Sequence, residues 1–428
     1  MIGSETTPID HLVRPFQKFA AREASGGILL FIASVIAFVW ANSQWRETYF
    51  HLWELKITIG ATHNLEHWIN DGLMAVFFFV VGLEIKRELL EGELRSVKRA
   101  MLPLMAAVGG MVIPAAVYAL VNHGGSGAHG WGIPMATDIA FALGILAILG
   151  NRIPTALKIF VTALAIVDDL GAVLVIAFFY TAQLVWPSLA IAAICFLLLI
   201  LANLLGVRAP AVYAVIGIVL WVAVLHSGVH ATIAGVLTAL TIPTSRHIDT
   251  KQFVGVTRSV LAELEEAENS TDQTTIQAAQ QSALMTLQEA KVKVQSPLSR
   301  MEQSLHPWVA FAIMPIFALA NAGVTIERGI ESLKDPVSIG VILGLVLGKP
   351  IGILLFTFIA VITGIAALPA SVSRKQLAGA AILGGIGFTM SLFIANLAFD
   401  DPALLAMAKV GILSGSVIAG VIGYLVLR

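Results

Sequence analysis

Four charged residues stand in stretches otherwise built of apolar side chains: Asp138, Asp168, Asp169 and Lys349. An Asp or Lys at the centre of a membrane-crossing helix costs at least ~2.5–3.5 kcal/mol, so such residues pair with one another or line a path for ions. Three acids against one base leave two negative charges over if all ionise, which a structural ion pair does not require and a cation or proton site does. Hard carboxylate oxygens beside a hydroxyl suit Na⁺, Li⁺ or H⁺ and not a soft transition metal. Thr137, next to Asp138, supplies that hydroxyl, although a threonine can equally bond its own helix backbone. Neighbouring residues on a helix point about 100° apart. Asp168 and Asp169 therefore face different partners, one toward Lys349 and the other toward Asp138.

A second set of ionisable residues sits nearer the ends of apolar stretches: Asp71, Glu84, Arg87 and Glu88, then Glu302 and His306, with His230 beside another stretch. Histidine titrates near neutral pH, so this set is read as a proton-sensing mouth on the cytoplasmic side. The competing reading is ordinary flanking charge. Glu84 and Glu88, four apart on a helix, repel mildly unless neighbours compensate.

The elements that must position these groups follow from composition. The chain has 428 residues, 57% hydrophobic and 12% charged, where a soluble domain carries about 25% charge. Apolar runs such as 26–41 and 189–205 contain no charge, and about 20 apolar residues cross a bilayer. Twelve spans are expected: 25–42, 66–86, 101–122, 132–150, 156–181, 187–205, 211–227, 229–242, 308–324, 339–360, 376–398 and 403–427. This is an all-α polytopic membrane protein. The net charge of −1 offers no field to nucleic acid, and the single cysteine, Cys195, excludes a disulfide framework and a cysteine metal site.

Lys and Arg fall 20 on one side of this layout and five on the other, with Lys349 inside a span. The positive-inside rule then places both termini in the cytoplasm. Residues 1–24 read as a cytoplasmic amphipathic segment lying on lipid, 25–242 as spans one to eight, 243–307 as a cytoplasmic loop and 308–428 as the last four spans. Within the 43–65 loop, Trp53, Leu55, Ile57 and Ile59 alternate with polar residues, which predicts a β-strand on the far side, as a lid or a dimer contact. The long loop predicts a helical hairpin, about 252–268 and 273–294, with Ser270 to Asp272 at the turn.

Two spans are interrupted. Gly130, Gly132 and Pro134 precede Asp138, and Gly384, Gly385 and Gly387 precede Thr389. Unwound backbone at membrane depth survives only where it is buried or lines a cavity. Broken spans in corresponding positions of two repeats point to a transporter site, here spans 3–5 and 10–12. Gly340, Gly344, Gly348 and Gly352 recur every four residues and predict close packing that fixes Lys349 in place.

The strings ATDIAFALG (136–144), ALAIVDDLGAV (163–173), LGKPIG (347–352) and GIGFTMS (385–391) resemble the bacterial NhaA Na⁺/H⁺ antiporters, as do 68–89 and 227–235. That family is a standard example of inverted-repeat transporters, so the repeat assignment is not independent of the resemblance. The resemblance implies twelve helices with two broken ones crossing at mid-membrane, and one set of helices moving against a dimerisation set. It implies Na⁺ or Li⁺ at Asp168 and Asp169, with Asp138 and Lys349 balancing the helix breaks, and no cofactor. It further implies a pH-responsive funnel around Glu84, Glu88 and Glu302, residence in the bacterial inner membrane, and a homodimer through a periplasmic hairpin at the 53–59 strand. The long 244–307 loop, His226 and Gln303 depart from the family pattern and bear on the pH setting.

Exchange then follows from competition: the acid pair holds Na⁺ or protons, not both. Two protons leaving per Na⁺ would make each cycle electrogenic. Na⁺-coupled uptake of a solute on the same fold would need further polar groups. An intramembrane aspartyl protease would need a Gly-x-Gly-Asp signature, which is missing, and would leave Lys349 without a role.

Overall fold

The computed structural model describes residues 25–59, 61–181, 184–246, 248–268, 272–325, 332–369 and 371–428. The segment expected at 1–24, together with Ser270 and Thr271 of the hairpin turn, lies outside the described residues. In chain order, α1 (Ser25–Ala41) bends by 113° into α2 (Arg46–Glu54). A two-stranded antiparallel hairpin follows, β1 (Lys56–Ile59) and β2 (Ala61–Asn64), in the register Ile57 to His63. Then come α3 (Leu65–Leu90), α4 (Val97–Val121), a 3₁₀ segment (Ser126–Met135), α5 (Ile139–Leu149) and α6 (Thr155–Phe179). After these run α7 (Trp186–Leu204), α8 (Pro210–Leu225) and α9 (Thr232–Thr241). The polar pair α10 (Thr250–Glu268) and α11 (Gln273–Val294) precedes α12 (Pro297–Asn321), α13 (Pro336–Ile362), α14 (Arg374–Gly384), α15 (Phe388–Ala398) and α16 (Pro402–Leu427).

Among the described residues, nine spans are long and apolar enough to cross a bilayer, ten if the bent pair α1–α2 counts as one, and α8 and α9 are shorter apolar helices. Each of the twelve expected spans coincides with one of these elements.

Local chemistry sets the helix starts. Asp335 and Asp401 cap α13 and α16, each with proline at the first helical position, and Ser373 and Gln376 form a capping box on α14. Two expectations shift. The strand begins at Lys56 and not Trp53, because Arg46–Glu54 is helical and Trp53 turns inward against Tyr49. The ninth span begins at Pro297, capped by Ser296, so Glu302 and His306 lie on the helix and not ahead of it. Its first turns are polar and escape a hydropathy reading.

The helices pack as two sets. One joins α4, α5, α6, α13, α14, α15 and α16; the other joins α1, α3, α7, α8, α9 and α12. They meet where α1 touches α5, α3 touches α6 and α12 touches α15. In the first set, α4–α6 and α13–α16 each contain an interrupted middle span, the arrangement expected of the two repeats. Gly340, Gly348 and Gly352 press on α4, where an added Cβ would collide with Tyr118, Pro114 or Gly109, and Gly344 presses on Pro134 of the 3₁₀ segment. The α10–α11 hairpin packs chiefly on itself.

Candidate functional site

The site forms where the two broken spans cross. Backbone from Ala136 to Asp138 is extended between the 3₁₀ segment and α5, and Gly385 to Gly387 separate α14 from α15. The breaks touch directly: the Asp138 amide donates to the Ile386 carbonyl at 2.6 Å.

Each break exposes helix-end dipoles that water cannot reach, and side chains answer them. Asp138 Oδ1 accepts from the Phe141 amide of α5 at 3.1 Å, while Oδ2 accepts from the Thr389 amide of α15 at 3.1 Å and from the Thr389 hydroxyl. One carboxylate thus serves the positive ends of two half-helices. At the negative ends, the Lys349 ammonium donates to the Met135 carbonyl closing the 3₁₀ segment, and the Thr137 hydroxyl lies 3.2 Å from the Gly384 carbonyl closing α14. Ser391 Oγ donates to the Ile133 carbonyl at 2.7 Å.

The aspartates of α6 face this crossing. Asp168 Oδ2 accepts from the Thr137 hydroxyl at 2.6 Å and lies 3.0 Å from the Lys349 ammonium. Both side chains of that ion pair are fully buried. Lys349 follows a π-helical turn, Gly344–Gly348, an irregularity common at functional positions. Asp169 is also buried, within electrostatic reach of Asp138, Asp168 and Glu84. Asp168 Oδ1 and Asp169 Oδ1 are buried and have no hydrogen-bond partner, a costly state that a bound cation or proton would relieve. The expected division of the aspartates is therefore half met: Asp168 takes Lys349, but Asp138 is engaged by the helix ends and makes no hydrogen bond with Asp169.

The second set of ionisable residues divides in two. Arg87 of α3 bridges Glu302 at 2.8 Å and Glu88 at 3.1 Å, and His306 is within its electrostatic reach. Glu84, one turn further in, interacts with Glu302, Arg87, Glu88 and Asp169, placing it between this cluster and the crossing. His230 does not join them. Its ring lies 2.5 Å from the Tyr180 carbonyl, beyond the other end of α6, and it interacts with Asp71, which His67 holds at 3.0 Å. Asp71 stands 13 residues before Glu84 on α3, so about 20 Å of helix separates the groups. The expected span 66–86 already held Asp71 and Glu84 near its opposite ends, so placing His230 and Asp71 at the cytoplasmic mouth is corrected.

Several partners were not legible as such. Thr389 follows the glycine break, yet only the crossing shows that it binds Asp138. Asn70, Asn321 and Asn396 bond one another inside the bundle, and the signal was an amide in an apolar run. The backbone carbonyls of Met135 and Gly384 carry no side-chain signal at all.

The Na⁺/H⁺ antiporter 1 family matches residues 17–427. The chain is 50% identical to a Na⁺/H⁺ antiporter NhaA of Oleidesulfovibrio alaskensis over 432 residues, covering 100% of this chain and 96% of the relative. It is 51% identical to a protein of the same name from Koribacter versatilis over 431 residues, 99% of this chain and 93% of the relative. A third, from Wolinella succinogenes, is 48% identical over 411 residues, 95% of this chain and 91% of the relative.

Proposed function

The chain belongs to the Na⁺/H⁺ antiporter 1 family, whose members are membrane-embedded secondary transporters and not enzymes, and from that premise we propose that it exchanges Na⁺ for protons at Asp168 and Asp169. Na⁺ and H⁺ are the cargo, and no cofactor is required. The observation that carries the assignment is the pair of buried, unpartnered carboxylate oxygens, Asp168 Oδ1 and Asp169 Oδ1, beside a single lysine.

The exchange step follows from charge. With Asp138 engaged by two helix ends and Asp168 paired with Lys349, Asp169 is the carboxylate without a fixed counter-charge. Left ionised and dry it is costly, so it takes a proton or a cation. Na⁺ or Li⁺ entering between the two aspartates draws oxygens from both, with the Thr137 hydroxyl in reach, and weakens the hold of Asp168 on Lys349. A proton leaves Asp169, and a second leaves when Lys349, released from its partner, gives one up. Two protons for one Na⁺ makes the cycle electrogenic. Alternating access rocks the set that carries the crossing against the other set.

Charge asymmetry supports both termini in the cytoplasm of an inner-membrane protein, with the β1–β2 hairpin outside. The exposed edges of that two-stranded sheet suit pairing with a second copy as a homodimer. Arg87, bridging Glu302 and Glu88 next to Glu84 and His306, supports a pH-responsive inner mouth. His230 stands outside that mouth.

The test is Na⁺-induced collapse of a pH gradient in everted vesicles. The parent is expected to respond to Na⁺ without any organic solute. Asp168→Asn and Asp169→Asn should each abolish the response while still inserting, and a near-normal response in either overturns the site assignment. Glu302→Gln should preserve maximal exchange but shift the pH at which it appears; an unchanged profile overturns the regulatory reading.

A further inference from the structure

Three asparagines join the two helix sets at the hairpin end of the bundle. Asn321 of α12 donates to the Asn70 side-chain carbonyl of α3 at 2.9 Å and to the Phe317 carbonyl at 3.0 Å, and Asn396 of α15 donates to the Asn321 side-chain carbonyl at 2.6 Å. Asn321 is fully buried. Two of these residues belong to one set and Asn396 to the other, so the ladder crosses the surface along which the sets must slide.

The same rod carries the ion site. Helix α15 has 11 residues, its first turn binds Asp138 through Thr389, and its last turn carries Asn396. Between them Phe393 packs on Phe78 of α3 and Phe317 of α12, with ring centroids 5.3 and 6.3 Å apart. Aromatic faces can slip past one another with little loss. An amide in dry surroundings cannot, because its donors and acceptor are met only in one register.

We propose that the Asn70–Asn321–Asn396 ladder is a latch that closes the β1–β2 end of the transport path and parts at its Asn321–Asn396 rung when α15 moves against α3 and α12. The proposal rests on exchange by alternating access. Only the Asn396–Asn321 bond crosses between the sets, and interhelical hydrogen bonds within membranes are individually weak, so it biases the closed state by roughly threefold and does not lock it. A weak latch is what a cycling transporter needs, since the bond must break in every turnover.

Two measurements test it. In a Cys195→Ser background, the pair Asn321→Cys and Asn396→Cys is bridged by a short bis-thiosulfonate in vesicles. Bridging should stop Na⁺-induced pH-gradient collapse, and reduction should restore it. Parental exchange by the bridged protein overturns the latch, as does failure of the folded pair to bridge. The second uses backbone hydrogen exchange of Asn321→Ala in detergent without an ion gradient. Residues 388–398 should exchange about threefold faster, with α6 unchanged. Unchanged exchange at 388–398, or equal acceleration in α6, overturns the proposal. This second measurement involves no transport, so it can fail or succeed whatever becomes of the Na⁺/H⁺ reading.

Discussion

Asp168 holds two donors, the Thr137 hydroxyl and the Lys349 ammonium, whereas Oδ1 of its neighbour Asp169 has none. The two neutral amide variants should therefore separate stability from transport. Asp169→Asn removes an unpartnered charge and should leave thermal stability in detergent equal to the parent or higher, with exchange lost. Asp168→Asn strands the Lys349 ammonium and should lower stability as well. Equal melting temperatures in the two variants would contradict the pairing. Lys349→Ala strips Asp168 of its counter-ion and the Met135 carbonyl of its donor, and breaking a buried pair costs about 3–5 kcal/mol. Its melting temperature should fall clearly below that of Lys349→Arg, which keeps the charge. At this scale the sequence made the types of group legible, since charge in an apolar run is conspicuous. It did not make the pairing legible: Asp168 and Asp169 are chemically identical, and only the packing of α13 decides which one meets Lys349.

Elements were legible where hydropathy alone defines them and less so where polar turns extend them. Helix α12 starts at Pro297 because Ser296 caps it, although its first turns are polar. The hairpin α10–α11 was readable from the turn and cap residues at Ser270 to Asp272, and its placement adds a consequence. The Ile248 amide bonds the Lys293 carbonyl at 3.2 Å, so the two ends of the hairpin lie side by side. A short join can replace it, because loop closure depends weakly on length. Deleting 250–292 should leave maximal Na⁺-induced exchange nearly intact at equal expression. Loss of exchange at every pH would place the hairpin in the transport machinery.

For the molecule as a whole, the two sets of helices and the excess of acids over bases at their junction make one joint claim, that each turnover displaces charge. A Na⁺ concentration jump on a supported membrane bearing the protein should give a transient current in the parent and none in Asp169→Asn. Exchange without current would refute the two-for-one count while leaving antiport intact. The overall plan was legible from the matching interruptions in two spans. The crossing came only from the resemblance, and nothing in either string states that Asp138 meets Thr389.

The π turn at Gly344–Gly348 bears on angular phase. Twelve residues separate Gly340 from Gly352, and at about 100° per residue an unbroken α-helix would carry them three full turns and a further ~120° apart. Glycines so spread would cover about a third of the helix's circumference and not one narrow line. A turn that admits one additional residue takes back about 100° of that drift, leaving about 20°. Both halves of α13 therefore lie flat along α4, from Tyr118 at one end to Gly109 at the other. Removing a single residue from 344–348 would restore an ordinary helix and rotate everything beyond it by about a quarter turn or slightly more, carrying Lys349 away from Asp168 without altering either side chain.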